Sequence, residues 1–185
     1  VLKKAYGNTR DALLHTSTYN GFGEECITAI EALNIMQEEN YEKKSFQIEK
    51  IVKERCHQLL EKYGNEVKEC RGSGALHGIF FNTDNLVISK ILKFIPLSIT
   101  KDPKFVPKLA AAAISDWMYK NYKILVIFSN TDDVSLFFKP SLVMEEKEIH
   151  YFFDSLEKTL QEGIWQIVLK FASKQFSNFV NFGSL

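Results

Sequence analysis

Apolar positions along this chain recur with two periods, one near that of a helix and one near that of a strand. From Glu24 the positions Cys26, Ala29, Ile30, Leu33 and Met36 follow helical spacing. Ile27 and Ile35 fall off that stripe, which predicts a helix buried on more than one side. Glu24 and Glu25 occupy its first turn, where the positive end of the helix dipole favours carboxylates. A second helix, from about Ser45 to Tyr63, is cleaner. Ile48, Ile51, Val52, Cys56, Leu59, Leu60 and Tyr63 form one stripe, and Gly64-Asn65 ends it. That pattern predicts a surface helix with a single apolar face.

The period changes after Glu66. Val67 to Cys70 reads as a short strand, Arg71-Gly72-Ser73-Gly74 as a turn, and Leu76 to Phe81 as an apolar strand. Asn82-Thr83-Asp84-Asn85 closes that unit, and residues 86–95 fit strand and helix equally. Pro96, Pro103 and Pro107 punctuate a loop before a helix from about Val106 to Tyr119. Ile124 to Phe128 predicts a short buried strand, Asn130 to Asp133 a turn, and Val134 to Phe138 another strand. A helix from near Glu145 carries the stripe Ile149, Phe152, Phe153, Leu156 and Leu160, with Gly163 as its C-cap. The last periodic segment holds Trp165, Val168, Leu169, Ala172, Phe176, Phe179 and Val180. It reads as an extra helix packed on the domain or the start of a linker, with a docking helix as the sharper alternative. Helices, then strands mixed with helices, then helices give an α+β class, or a piece of an α/β protein.

Composition adds mainly exclusions. A chain of 185 residues with 45% hydrophobic side chains fills one core, with or without an appendage. Lys plus Arg equals Asp plus Glu at 23 each, so neither a nucleic-acid nor an acidic-lipid surface is expected. Cys26, Cys56 and Cys70 have no short paired spacing and read as reduced thiols of a cytoplasmic protein. No CxxC or HExxH points to a metal, and no apolar run reaches the roughly 18 residues a membrane span needs. The opening Val1-Leu2-Lys3-Lys4 is not a secretory signal, and a first residue other than Met suggests a chain cut from something longer. His15, His57, His77 and His150 have no partner pattern.

One segment carries candidate chemistry. His15-Thr16-Ser17-Thr18-Tyr19-Asn20-Gly21-Phe22-Gly23 is a polar turn running into a helix, a place where hydroxyls and N–H groups meet an anion. Taken alone, it is more simply a hydroxyl turn that caps the helix and binds nothing.

Three motifs together resemble the C-terminal region of class III, pyridoxal-phosphate-dependent aminotransferases of fold type I. Ser17-Thr18-Tyr19-Asn20-Gly21-Phe22 resembles S-T-[FY]-G-G-N, departing at Asn20 and Phe22. Arg71-Gly72-Ser73-Gly74-Ala75-Leu76-His77-Gly78 resembles R-G-x-G-x-x-x-G. Leu136-Phe137-Phe138-Lys139-Pro140-Ser141-Leu142-Val143 resembles I-R-[FL]-x-P-P-L-V. They occur in the family's order, within a resemblance running from Lys4 to Gln161.

The resemblance implies that Thr18, with Ser17 beside it, binds the phosphate of pyridoxal 5'-phosphate across the interface of a homodimer. It implies a layout in which residues 1–62 are the end of a large domain with connecting helices and residues 63–162 a small C-terminal α+β domain. Residues 163–185 then form a helical extension or linker. In many members the arginine of the third motif grips the substrate carboxylate, and here Phe137 stands in its place. A phenyl ring cannot do that, so an amine, an aldehyde-terminated acceptor or a bulky carrier-bound substrate is expected. Arg10, Arg55 and Arg71 are the only arginines in the chain, and a substitute is expected from outside it.

In the family, the Schiff-base lysine precedes the threonine turn by a few tens of residues. Only Lys3 and Lys4 precede Thr18, and neither suits, so that lysine is expected upstream of Val1 and no catalytic residue is assigned within the chain. The expected function is the C-terminal part of an aminotransferase that is inactive alone. The competing reading is a non-catalytic dimerisation or interaction module derived from such a domain.

Overall fold

The computed structural model describes residues 23–83, 102, 104–129 and 133–182, leaving aside the side chains of 175–182. Its elements in chain order are α1 (Gly23–Glu38), α2 (Tyr41–Tyr63), β1 (Val67–Ser73), β2 (Leu76–Phe81), α3 (Phe105–Tyr122), β3 (Ile127–Phe128), β4 (Ser135–Phe138), α4 (Glu146–Gln161) and α5 (Ile164–Phe182). Helices around a small antiparallel sheet make the chain α+β. It divides into two compact units, Val1–Glu42 and Lys43–Leu185.

In the first unit, α1 forms where its periodicity predicts, with Glu24 and Glu25 in its first turn. The expectation that it is buried on several sides fails: none of its residues is buried, and Ile27 is 71% exposed. Its apolar positions are spread around the axis, so they define no single face to seat against a partner. Residues 1–22 of that unit lie outside the described residues.

The second unit is built on the sheet, ordered β1-β2-β4-β3 and antiparallel throughout. β1 runs three residues beyond its expected end, so Arg71, Gly72 and Ser73 belong to the strand rather than to a turn. The reversal takes only Gly74 and Ala75. Gly74 has φ +59°, the positive value required at the first position of a tight II′ hairpin turn. Ile124 to Phe128 is corrected as well. Only Ile127 and Phe128 pair, and Val126 is buried while Leu125 is 80% exposed. The segment alternates at the sheet edge instead of running through the core. Residues 86–95 and the turn at 130–132 lie outside the described residues.

The inner face of the sheet carries His77, Ile79, Leu136 and Phe138, all buried. Onto it pack the predicted stripe of α2 (Ile48, Val52, Cys56, Leu59, Tyr63) and that of α4 (Ile149, Phe152, Phe153, Leu156, Leu160). Phe138, Phe152 and Phe153 meet with centroids 4.4 to 5.5 Å apart, giving the core an aromatic centre. Arg55 clamps α2 to α4, with its guanidinium 2.6 Å from Asp154 and 3.1 Å from Glu157, and Lys62 reaches Glu157 at 2.8 Å. α3 supplies Ala110, Ala113, Ile114 and Met118, small enough on one side for close approach. Pro107 lies in its first turn, where its missing N–H costs no bond.

Helix α4 starts with Glu148 accepting the Glu145 N–H at 2.9 Å. It ends at Gly163, whose φ of +84° and N–H bond to the Leu160 carbonyl at 3.0 Å fit the expected cap. α5 follows at once and packs on α3, burying Ile164, Ile167 and Val168. Leu169, read as part of the stripe, is 57% exposed, and the buried Ile164 and Ile167 set the true face.

Candidate functional site

The side of the sheet turned away from this core is where the sequence motifs converge. Directly opposed residues of antiparallel strands point to the same face. Arg71 opposes Gly78, Gly78 opposes Phe137, and Phe137 opposes Ile127, so one row crosses all four strands on the outer face. The next row is Glu69, Phe80 and Ser135. The second and third motifs are thus neighbours in space, joined through Gly78.

Phe137 is half-buried on this outer face, while its neighbours Leu136 and Phe138 turn into the core. It lines two concavities. One, of about 350 Å3, is bordered by Arg71, Ser73, Leu76, Gly78 and Phe80. The other, of about 550 Å3, is bordered by Tyr122, Leu125, Ile127, Lys139 and Tyr151. Gly78 keeps the first one open: a Cβ there would come within 3.1 Å of Ser135 Oγ and 3.2 Å of Phe80 Cε2.

Charge on this face is already largely spent. Arg71 lies 4.1 Å above the Phe80 ring, bonds Asp133 at 2.9 Å and touches Glu69. The Asp133 hydrogen bond holds its guanidinium charged even beyond the usual arginine range. Neither Arg71 nor Arg55 is therefore available to replace an arginine at position 137, since each is bonded to two carboxylates. Arg10 lies outside the described residues. Lys139, two residues beyond Phe137 on the same face, places its ammonium 5.5 Å from that ring's centroid. Sequence reasoning missed it. The signal was the i, i+2 spacing of a strand, which puts a lysine beside the residue that replaced arginine.

Ser17 and Thr18 lie outside the described residues, as does His15. The Gly74 N–H, in the glycine turn of the hairpin, bonds Glu49 at 2.7 Å. His77 is buried and bonds the Gly74 carbonyl at 2.9 Å, so it braces the hairpin. His57 and His150 pair with Glu61 and Glu146 one turn away on their own helices. No metal-binding cluster occurs, and no helix is long and apolar enough to cross a membrane, among the described residues.

A family model of class III aminotransferases matches residues 3–160, most of the chain, and the chain belongs to that family. Solved structures show the same fold. A transaminase from the marine bacterium Virgibacillus superposes with a TM-score of 0.62 at 15% identity, over 92% of this chain and 34% of that one. An aminotransferase from Bacillus anthracis gives 0.51 at 22% identity, over 74% and 28%. Acetylornithine aminotransferase from Elizabethkingia anophelis gives 0.50 at 20%, over 74% and 29%. This chain thus spans about a third or less of the length of these transaminases. No curated protein sequence matches it.

Proposed function

We propose that this chain is the C-terminal part of a cytoplasmic, pyridoxal-phosphate-dependent aminotransferase that acts as a homodimer. The observation that carries the reading is the outer row Arg71–Gly78–Phe137, which brings two family motifs to one face of the small-domain sheet. The cofactor, when bound, would act as the electron sink for transfer of an amino group. Thr18 and Ser17 would donate hydrogen bonds to its phosphate from the neighbouring subunit. The lysine that anchors the cofactor would lie upstream of Val1, so the chain alone would not catalyse transfer.

Phe137 narrows the substrate. With Arg55 and Arg71 both committed to carboxylates, this face offers no free guanidinium among the described residues to grip an α-carboxylate. A small-molecule or carrier-bound amine, with a carbonyl acceptor, suits it better than a standard α-amino acid. The test is made on the parent protein. Its near-visible cofactor absorbance should disappear on borohydride treatment, and Thr18→Ala should weaken cofactor retention. A parent with no such absorbance would be the dimerisation module of the competing reading. Unchanged retention in Thr18→Ala would remove that residue from the site.

A further inference from the structure

Phe137 has Gly78 on one side and Ile127 on the other, and the concavity of about 550 Å3 lies on the Ile127 side. Its volume is that of a small-molecule site, commonly about 300–1,000 Å3. Phe138 and Phe152, both buried, form its inner end. Leu125, Ile127 and Tyr151 stand at its rim, each more than half exposed. Such walls favour an apolar occupant. β3 pairs over only two residues, too short a ladder to hold an added strand, so a small molecule suits the pocket better than a peptide. Most polar groups of the lining are already engaged. The Lys123 ammonium donates to the Lys120 carbonyl at 3.1 Å, and the Tyr151 hydroxyl to the Tyr122 carbonyl at 3.0 Å. Glu148, the one carboxylate among the described residues of the lining, accepts the Glu145 N–H at 2.9 Å. Lys139 differs. Its ammonium lies 5.5 Å from the Phe137 centroid and pairs with no carboxylate among the described residues.

We propose that this pocket binds an amphipathic monoanion, a carboxylate at the end of an apolar chain. The chain lies against Phe137 and Ile127, and the carboxylate pairs with the Lys139 ammonium. One free ammonium balances one negative charge, whereas a dianion would bring a second towards Glu148. The inference uses no aminotransferase chemistry, so its failure would leave that reading standing.

Titration calorimetry of the full chain with decanoate, below its micelle concentration, provides the test. Decanoate should bind saturably, and octanoate, two methylenes shorter, roughly 15-fold more weakly. Decylamine should not bind, and decyl phosphate should bind less tightly than decanoate. Lys139→Met keeps an apolar stem and removes the charge at an exposed position. It should weaken decanoate by roughly 10-fold while leaving 1-decanol unchanged. Ile127→Glu, at the exposed rim, should abolish decanoate binding in a chain that keeps its circular dichroism spectrum. The proposal is overturned by an absence of saturable decanoate binding, by decylamine or decyl phosphate binding as tightly, or by a Lys139→Met chain that binds decanoate undiminished. It is equally overturned if the chain self-associates and Leu125→Glu makes it monomeric, since the surface would then belong to a second copy.

Discussion

Phe137 shows how much one side chain can change while the strand around it stays put. It keeps the alternation of β4, with Leu136 and Phe138 buried on either side, yet replaces a fork of donors with a ring on the outer face. Nearby cations do not restore the lost geometry. Lys139 is a point charge beside the ring, and Arg71 is held by Asp133 and Glu69. Phe137→Arg in the aminotransferase proposed above should therefore shift its preference towards carboxylate-bearing substrates. A charge-assisted pair of about 1.5–3 kcal/mol corresponds to roughly 10- to 150-fold. The measurement is the ratio of kcat/KM for an α-amino acid to that for the matching amine. An unchanged ratio would mean that the outer row does not contact the substrate.

Between elements, a contact that depends on ionisation joins α2 to the β1–β2 hairpin. Glu49 accepts the Gly74 N–H at 2.7 Å and the Ser73 hydroxyl at 3.3 Å, and it is paired with Lys53. The Lys53 bond first, and the Gly74 bond second, lower its pKa to about 2. The carboxyl is thus a stronger acid in the folded chain than in the unfolded one. Its stabilising contribution is complete above the unfolded pKa and is lost as pH falls through about 2. Glu49→Gln should lower Tm at neutral pH, and the gap to the unsubstituted chain should close between about pH 4.5 and 2. A gap that stays constant over that range would show that the carboxylate charge is not what matters.

The buried faces of α2 and α4 were legible in the sequence, because a single apolar stripe specifies both helix and burial, though α2 starts at Tyr41, ahead of the expected Ser45. The burial of α1 was not legible, because apolar residues all round a helix do not say what covers it. The hairpin was displaced by three residues. Gly72 reads as punctuation, but the reversal falls at Gly74, where φ is positive. At the candidate site, Phe137 could be read from its motif. The commitment of Arg71 and the approach of Lys139 could not, since both depend on strand register.

Across the whole second unit, α2, α4 and the sheet converge on Phe153. It is fully buried, stacks edge-on with Phe138 and Phe152, and lies 5.7 Å beneath the Arg55 guanidinium that bridges α2 and α4. Phe153→Ala removes apolar contact, an aromatic pair and the floor under an ion pair together. It should destabilise the chain by about 3–5 kcal/mol, read as a fall in the urea midpoint. A loss below about 1 kcal/mol would mean that the core collapses around the gap and has no single centre. The brevity of β3 bears on how such a domain behaves in crowded solution. Leu125 and Ile127 stand in the open at its edge, the kind of surface on which identical molecules stack. A strand of only two paired residues offers an incoming strand too short a ladder to hold, so the sheet can end at its own border without being covered.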